Sequence, residues 1–69
     1  MIIKLTSKRD INIFVNINYI TVINKEKNYT SVKILGGSEY EVKETVQEII
    51  DEIQIIKEQL KEIFNTNEK

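Results

Sequence analysis

The sequence predicts an α+β fold, an antiparallel β-meander of about five strands followed by one long C-terminal amphipathic helix. Three observations carry that prediction. Apolar residues upstream of residue 44 recur with a period near two, in short runs broken by polar or glycine turns. Thr45-Val46-Gln47-Glu48 is a Thr-x-x-Glu capping box, in which the Thr45 hydroxyl and the Glu48 carboxylate each accept the other residue's amide hydrogen. After it, Val46, Ile49, Ile53, Ile56, Leu60 and Ile63 recur at alternating spacings of three and four, one stripe along a helix.

Taken in order, Ile2 to Thr6 places Ile3 and Leu5 on one side and Lys4 on the other. Ser7 to Asp10 is a polar turn, and Ile11, Ile13 and Val15 then line one face of a second strand. If Leu5 faces Ile13 and Ile3 faces Val15, both apolar rows share a face and Lys8-Arg9-Asp10 becomes the hairpin tip. Phe14 is left on the opposite face, available to the helix or to another subunit. Tyr19 to Ile23 does not alternate, so this third strand is either buried on both faces or bulged. Asn24 to Asn28 is a charged loop, and Tyr29 to Leu35 a fourth strand with Thr30, Val32 and Ile34 on one face.

Gly36-Gly37-Ser38 is the clearest turn. A loop of odd length sets Ile34 opposite Tyr40, Val32 opposite Val42 and Lys33 opposite Glu41, pairing apolar with apolar and cation with anion. A fifth strand, Glu39 to Lys43, then runs into the helix, expected over Glu44 to Phe64, with residues 65–69 a frayed polar tail. The chain is thus read as a single domain, residues 1–43 meander and residues 44–64 helix.

With 69 residues, one small core supplies only roughly 3–5 kcal/mol, and small domains usually add a staple. The sequence has no Cys and no His, which excludes disulfides and removes the commonest metal ligands. Self-association is the remaining staple. Val46, Ile53 and Leu60 fall at one heptad position and Ile49, Ile56 and Ile63 at another, the seven-residue period of a coiled-coil seam. With Phe64 widening the stripe, Val46, Ile49, Ile53, Ile56, Leu60, Ile63 and Phe64 are the expected oligomer interface.

Residues 1–35 carry six basic and two acidic groups, and residues 36–69 four basic and nine acidic. The two halves are therefore suited to attract each other, and the basic half could instead meet a nucleotide or nucleic acid. Lys8, Arg9, Lys25 and Lys27 at loop tips are the candidate anion contacts. No nucleophile elbow, P-loop, dinucleotide-binding glycine pattern or calcium loop is present. Carboxylates fall on the helix flank or as Glu39 and Glu41 on one strand face, where solvation explains them. A non-enzymatic protein is expected, with no catalytic or metal residues, no cofactor and no membrane insertion. The N-terminal run is too short and strand-like for a signal peptide, so a cytoplasmic location is expected.

The order of residues resembles the FlbD/SwrD family of small flagellar and swarming-motility proteins. Ile3-Lys4-Leu5-Thr6 matches the family's opening I-K-L-T, and Asn16 and Ile20 stand where it carries N-P-x-x-I. Ile34, Gly37, Tyr40 and Val42 match its L-x-N-G-x-x-Y-x-V hairpin, and the run from Val42 to Ile50 is similar to its V-K-E-S-V-E-E-V-I segment. The resemblance spans residues 2–53. Arg9-Asp10 replaces the family's Asn-Gly, Ile17 its proline and Gly36 the asparagine of its second hairpin, and the helix beyond Ile53 is longer and more apolar. It implies a small accessory protein that oligomerises and binds a flagellar component. Proteins of this appearance also occur in phage genomes, where the alternative is an inhibitor or nucleotide sponge directed at a host defence component. A nucleic-acid-binding regulator using the basic sheet half is a second alternative.

Overall fold

A computed structural model describes the backbone of residues 1–67 and the side chains of residues 1–60. Five antiparallel strands precede one helix: β1 (Ile2–Thr6), β2 (Asn12–Asn16), β3 (Ile20–Lys25), β4 (Thr30–Ile34), β5 (Glu39–Val42) and α1 (Val46–Asn67). This is the α+β architecture the periodicities predict. The strands form two sheets rather than one continuous meander, β1-β2 and β3-β4-β5.

The first hairpin has the predicted register, with Ile3 opposite Val15 and Leu5 opposite Ile13. Ile3, Leu5 and Val15 are buried as a result, while Phe14 on the reverse face stays two-thirds exposed instead of packing beneath the helix. The tip is held by the Ser7 hydroxyl oxygen, which accepts from the amides of Arg9 (3.2 Å) and Ile11 (3.1 Å). Asp10 closes the turn at φ 64°, a left-handed conformation that Asp tolerates better than most residues.

The meander breaks at Asn16. Its side-chain oxygen accepts from the Asn18 amide at 2.9 Å and caps a single 3-10 turn, Ile17–Tyr19. That turn drops Ile17 into the core, with its amide bonded to the Met1 carbonyl, and redirects the chain so that β2 and β3 do not pair. Tyr19, expected on the third strand, therefore lies in the turn and is exposed. Of the two readings left open for β3, the bulge occurs: its register with β4 shifts between Ile20 and Val22.

The β4–β5 pairing corrects the sequence reading by two residues. Val32 faces Tyr40, Thr30 faces Val42 and Lys33 faces Glu39. The loop is odd, as expected, but shorter. Leu35-Gly36-Gly37 closes directly on Ile34, whose amide bonds the Ser38 carbonyl at 3.0 Å. Both glycines sit near φ +100°, which lets a three-residue loop reverse the chain where a side chain would be strained. A shift of two leaves every side chain on its expected face, so apolar and ionic complementarity survive it.

The hairpin tip joins the two sheets. Ser7 bridges Val42, the Lys8 amide bonds the Glu41 carbonyl and the Lys43 amide bonds the Thr6 carbonyl. The strands thus follow one another as β2-β1-β5-β4-β3 around a core of Ile3, Leu5, Val15, Ile17, Val32 and Val42. Helix α1 closes it with Ile49, which is 1 % exposed.

Both halves of the capping box form: the Glu48 amide donates to the Thr45 hydroxyl (3.1 Å) and the Thr45 amide to the Glu48 carboxylate (2.9 Å). Thr45 is therefore the cap, and α1 starts at Val46 rather than Glu44 and runs to Asn67 rather than Phe64. Glu44 instead accepts from the Thr6 amide at 2.8 Å, tying the helix approach to β1. At 1.5 Å per residue a helix of 22 residues is about 33 Å long. It runs past the strands, and the molecule measures 47 × 23 × 19 Å.

Candidate binding cleft and assembly face

Two surfaces collect the residues singled out by the sequence. The first is a cleft of about 340 Å³ where the β3–β4 connection meets the head of α1. Lys25 ends β3, and Glu26 to Tyr29 form a tight reversal closed by the Glu26 amide on the Tyr29 carbonyl at 2.9 Å. Thr30 opens β4, Lys43 follows β5, and Thr45, Val46 and Gln47 are the cap and first turn of α1. All of these line the cleft.

The cleft brings together two of the four candidate anion contacts, Lys25 and Lys27, and adds Lys43. The sequence points to Lys25 and Lys27 as loop cations. It does not point to Lys43, whose place beside them depends on β5 returning past the β3–β4 loop. Lys43 also bonds the Asp10 carboxylate, and both side chains of the pair are exposed. Among lining residues the carboxylate is that of Glu26.

Lys8 and Arg9 lie apart, on an open groove of about 650 Å³ shared with Ser7, Ile13, Glu39, Tyr40 and Glu41. The Lys8 ammonium sits 3.4 Å from Glu41 and 4.6 Å from the centre of the Tyr29 ring, so it is engaged by both a carboxylate and an aromatic face. Partial burial raises the Tyr29 phenol above its ordinary value near 10.0, and the charges of Glu41 and Glu26 push in the same direction.

The second surface is α1 itself. Of the expected interface residues, Ile49 is spent on the chain's own core and offers a partner almost no area. Val46, Ile53, Ile56 and Leu60 are half-buried, and Ile53 and Ile56 pack against the core edge. Ile50 and Ile55 are exposed on the helix. Ile63 and Phe64 have side chains outside the described residues.

Chemically, the cleft offers ammonium groups, hydroxyls and an aromatic ring, the equipment for holding an anion. Among the described residues no group of three or more acidic side chains converges as a metal site would require. No helix among them is long and apolar enough to cross a membrane. No protein-family model, curated protein or solved structure matches the chain.

Proposed function

We propose that this is a small non-enzymatic interaction protein that associates with further copies of itself through the distal half of α1 and binds a protein partner in that state. One observation carries the reading. A seven-residue apolar seam continues along α1 past the sheet, and Ile53, Ile56 and Leu60 on it remain partly open to solvent. An isolated helix face of this kind gains stability by burying those side chains against an equivalent face, at roughly 25 cal/mol per Å² of apolar surface removed from water. The uneven charge supports the same arrangement, because an acidic helix on one copy is attracted to the basic sheet half of another.

The resemblance to the FlbD/SwrD proteins supports an accessory role in motility, with a flagellar component as partner. The short Ile3-to-Thr6 and Val42-to-Ile50 matches carry that part of the reading.

Light scattering coupled to size exclusion tests the assembly. At about 100 µM the expected mass is that of two or more copies of the 8.1 kDa chain, and Ile56→Lys with Leu60→Lys returns it to a single copy without changing the far-ultraviolet spectrum. A mass of 8.1 kDa for the unaltered chain across the micromolar range overturns it.

A further inference from the structure

We infer that the cleft at the head of α1 is a binding site for a small phosphorylated molecule of the nucleotide class. The site is independent of the assembly reading, since Val46 is the one lining residue that also belongs to the seam.

Its size comes first. About 340 Å³ lies within the roughly 300–1,000 Å³ range of small-molecule sites, and it suits a ligand of mononucleotide size better than a polymer track. Its charge comes second. Lys25, Lys27 and Lys43 reach the cleft from the end of β3, the following loop and the end of β5. Glu26 is the one carboxylate among the lining residues, and Asp10, which does not line the cleft, pairs with Lys43.

The neighbouring acids are turned away from it. Glu44 is bonded to the Thr6 amide and Glu48 to the Thr45 amide, and neither lines the cleft. Glu44, next to Lys43 in sequence, and Glu48 are thus committed to backbone donors, which leaves Glu26 in the cleft and Asp10 on Lys43 as the acids that meet these lysines. The positive end of the α1 dipole lies on the same wall and adds to the cationic field.

The remaining lining selects within anions. Tyr29 supplies a ring against which a flat base can lie, and the Lys8 ammonium at 4.6 Å holds that ring in place. Asn28, Thr30 and Thr45 supply hydrogen-bonding groups around it. Bare phosphate would use the lysines alone, whereas a nucleoside phosphate would use both halves of the site.

Isothermal titration of the full chain with AMP and, separately, with inorganic phosphate at about 50 mM salt tests this, alongside amide chemical shifts. The expected result is saturable AMP binding in the sub-millimolar range, at least about tenfold tighter than phosphate. The shifted amides should cluster at residues 25–30 and 45–47. Lys25→Gln with Lys27→Gln should weaken AMP binding about tenfold or more, and Tyr29→Ala should bring AMP and phosphate to similar affinity. Arg9→Gln, on the other groove, should change AMP affinity less than the cleft pair does. The altered lysines are exposed, so a circular dichroism spectrum like that of the unaltered chain certifies each variant's fold. Absence of saturation by AMP up to about 10 mM, or binding indifferent to the cleft lysines, overturns the assignment.

Discussion

Replacing Ile49 by alanine should separate the residue that closes the core from the apolar residues that decorate α1. Ile49 is 1 % exposed and belongs to the same cluster as Val32 and Val42, both fully buried. Truncation removes three carbons at a site enclosed by strands on one side and its own helix on the other. Ile→Ala changes in such cores cost about 2–5 kcal/mol, through lost transfer energy and the cavity left behind. A domain of 69 residues has a total stability of roughly 3–10 kcal/mol, so this one change should consume a large part of it. Ile50, the next residue, is 45 % exposed, and Ile50→Ala should cost about 0.5 kcal/mol or less.

Urea unfolding followed at 222 nm reads both variants. It should be run at two protein concentrations, so that any assembly appears as a concentration-dependent midpoint. The expected pattern is a large fall in midpoint for Ile49→Ala and almost none for Ile50→Ala. A larger loss for Ile50→Ala than for Ile49→Ala would refute the placement of α1 on the sheet, because a helix rotated by one residue would bury Ile50 in place of Ile49, and equal losses would refute it because the sheet would then not distinguish the two.

Two further outcomes follow from local chemistry. Thr45→Ala removes the hydroxyl that accepts the Glu48 amide, and should lower stability by about 1 kcal/mol, whereas Thr45→Ser should retain most of it; urea midpoints compare them. The Tyr29 phenol is raised above 10.0 by partial burial and by Glu41 and Glu26, so the folded chain holds that proton more tightly than the unfolded chain. Its stabilising contribution is complete below the unfolded phenol's value and is lost as pH rises through the folded one. Difference absorbance at 295 nm between the unaltered chain and Tyr29→Phe should show a phenol titrating later than a free tyrosine. An ordinary titration would remove the proposed environment.

Much of this architecture was legible from residue order. The Ile3–Val15 and Leu5–Ile13 pairs follow from two alternating rows that must share a buried face, and the Thr45–Glu48 box from two residues three apart on one chain. The candidate cleft was only half legible. Lys25 and Lys27 stand out as loop cations, but Lys43 reads in sequence only as the end of the fifth strand. Lys8 and Arg9 look equivalent to Lys25 and Lys27, yet they line a different groove, where Lys8 pairs with Glu41 and lies over the ring of Tyr29.

Sequence alone determined the buried face of the first hairpin, the capping box at the head of the helix and that the second hairpin loop is odd. Those features depend on side-chain parity and on bonds between near neighbours, which the order of residues dictates directly. Tertiary structure decided the rest. It placed Val32 opposite Tyr40 rather than Val42, because a two-residue slide preserves every face and only the tight Leu35-Gly36-Gly37 closure chooses between the registers. It split the meander at the Asn16-capped turn, where burying Ile17 redirects the chain between the sheets. It also set Lys43 beside Lys25 and Lys27, since proximity between segments so far apart in sequence exists only once the sheets have closed around their core.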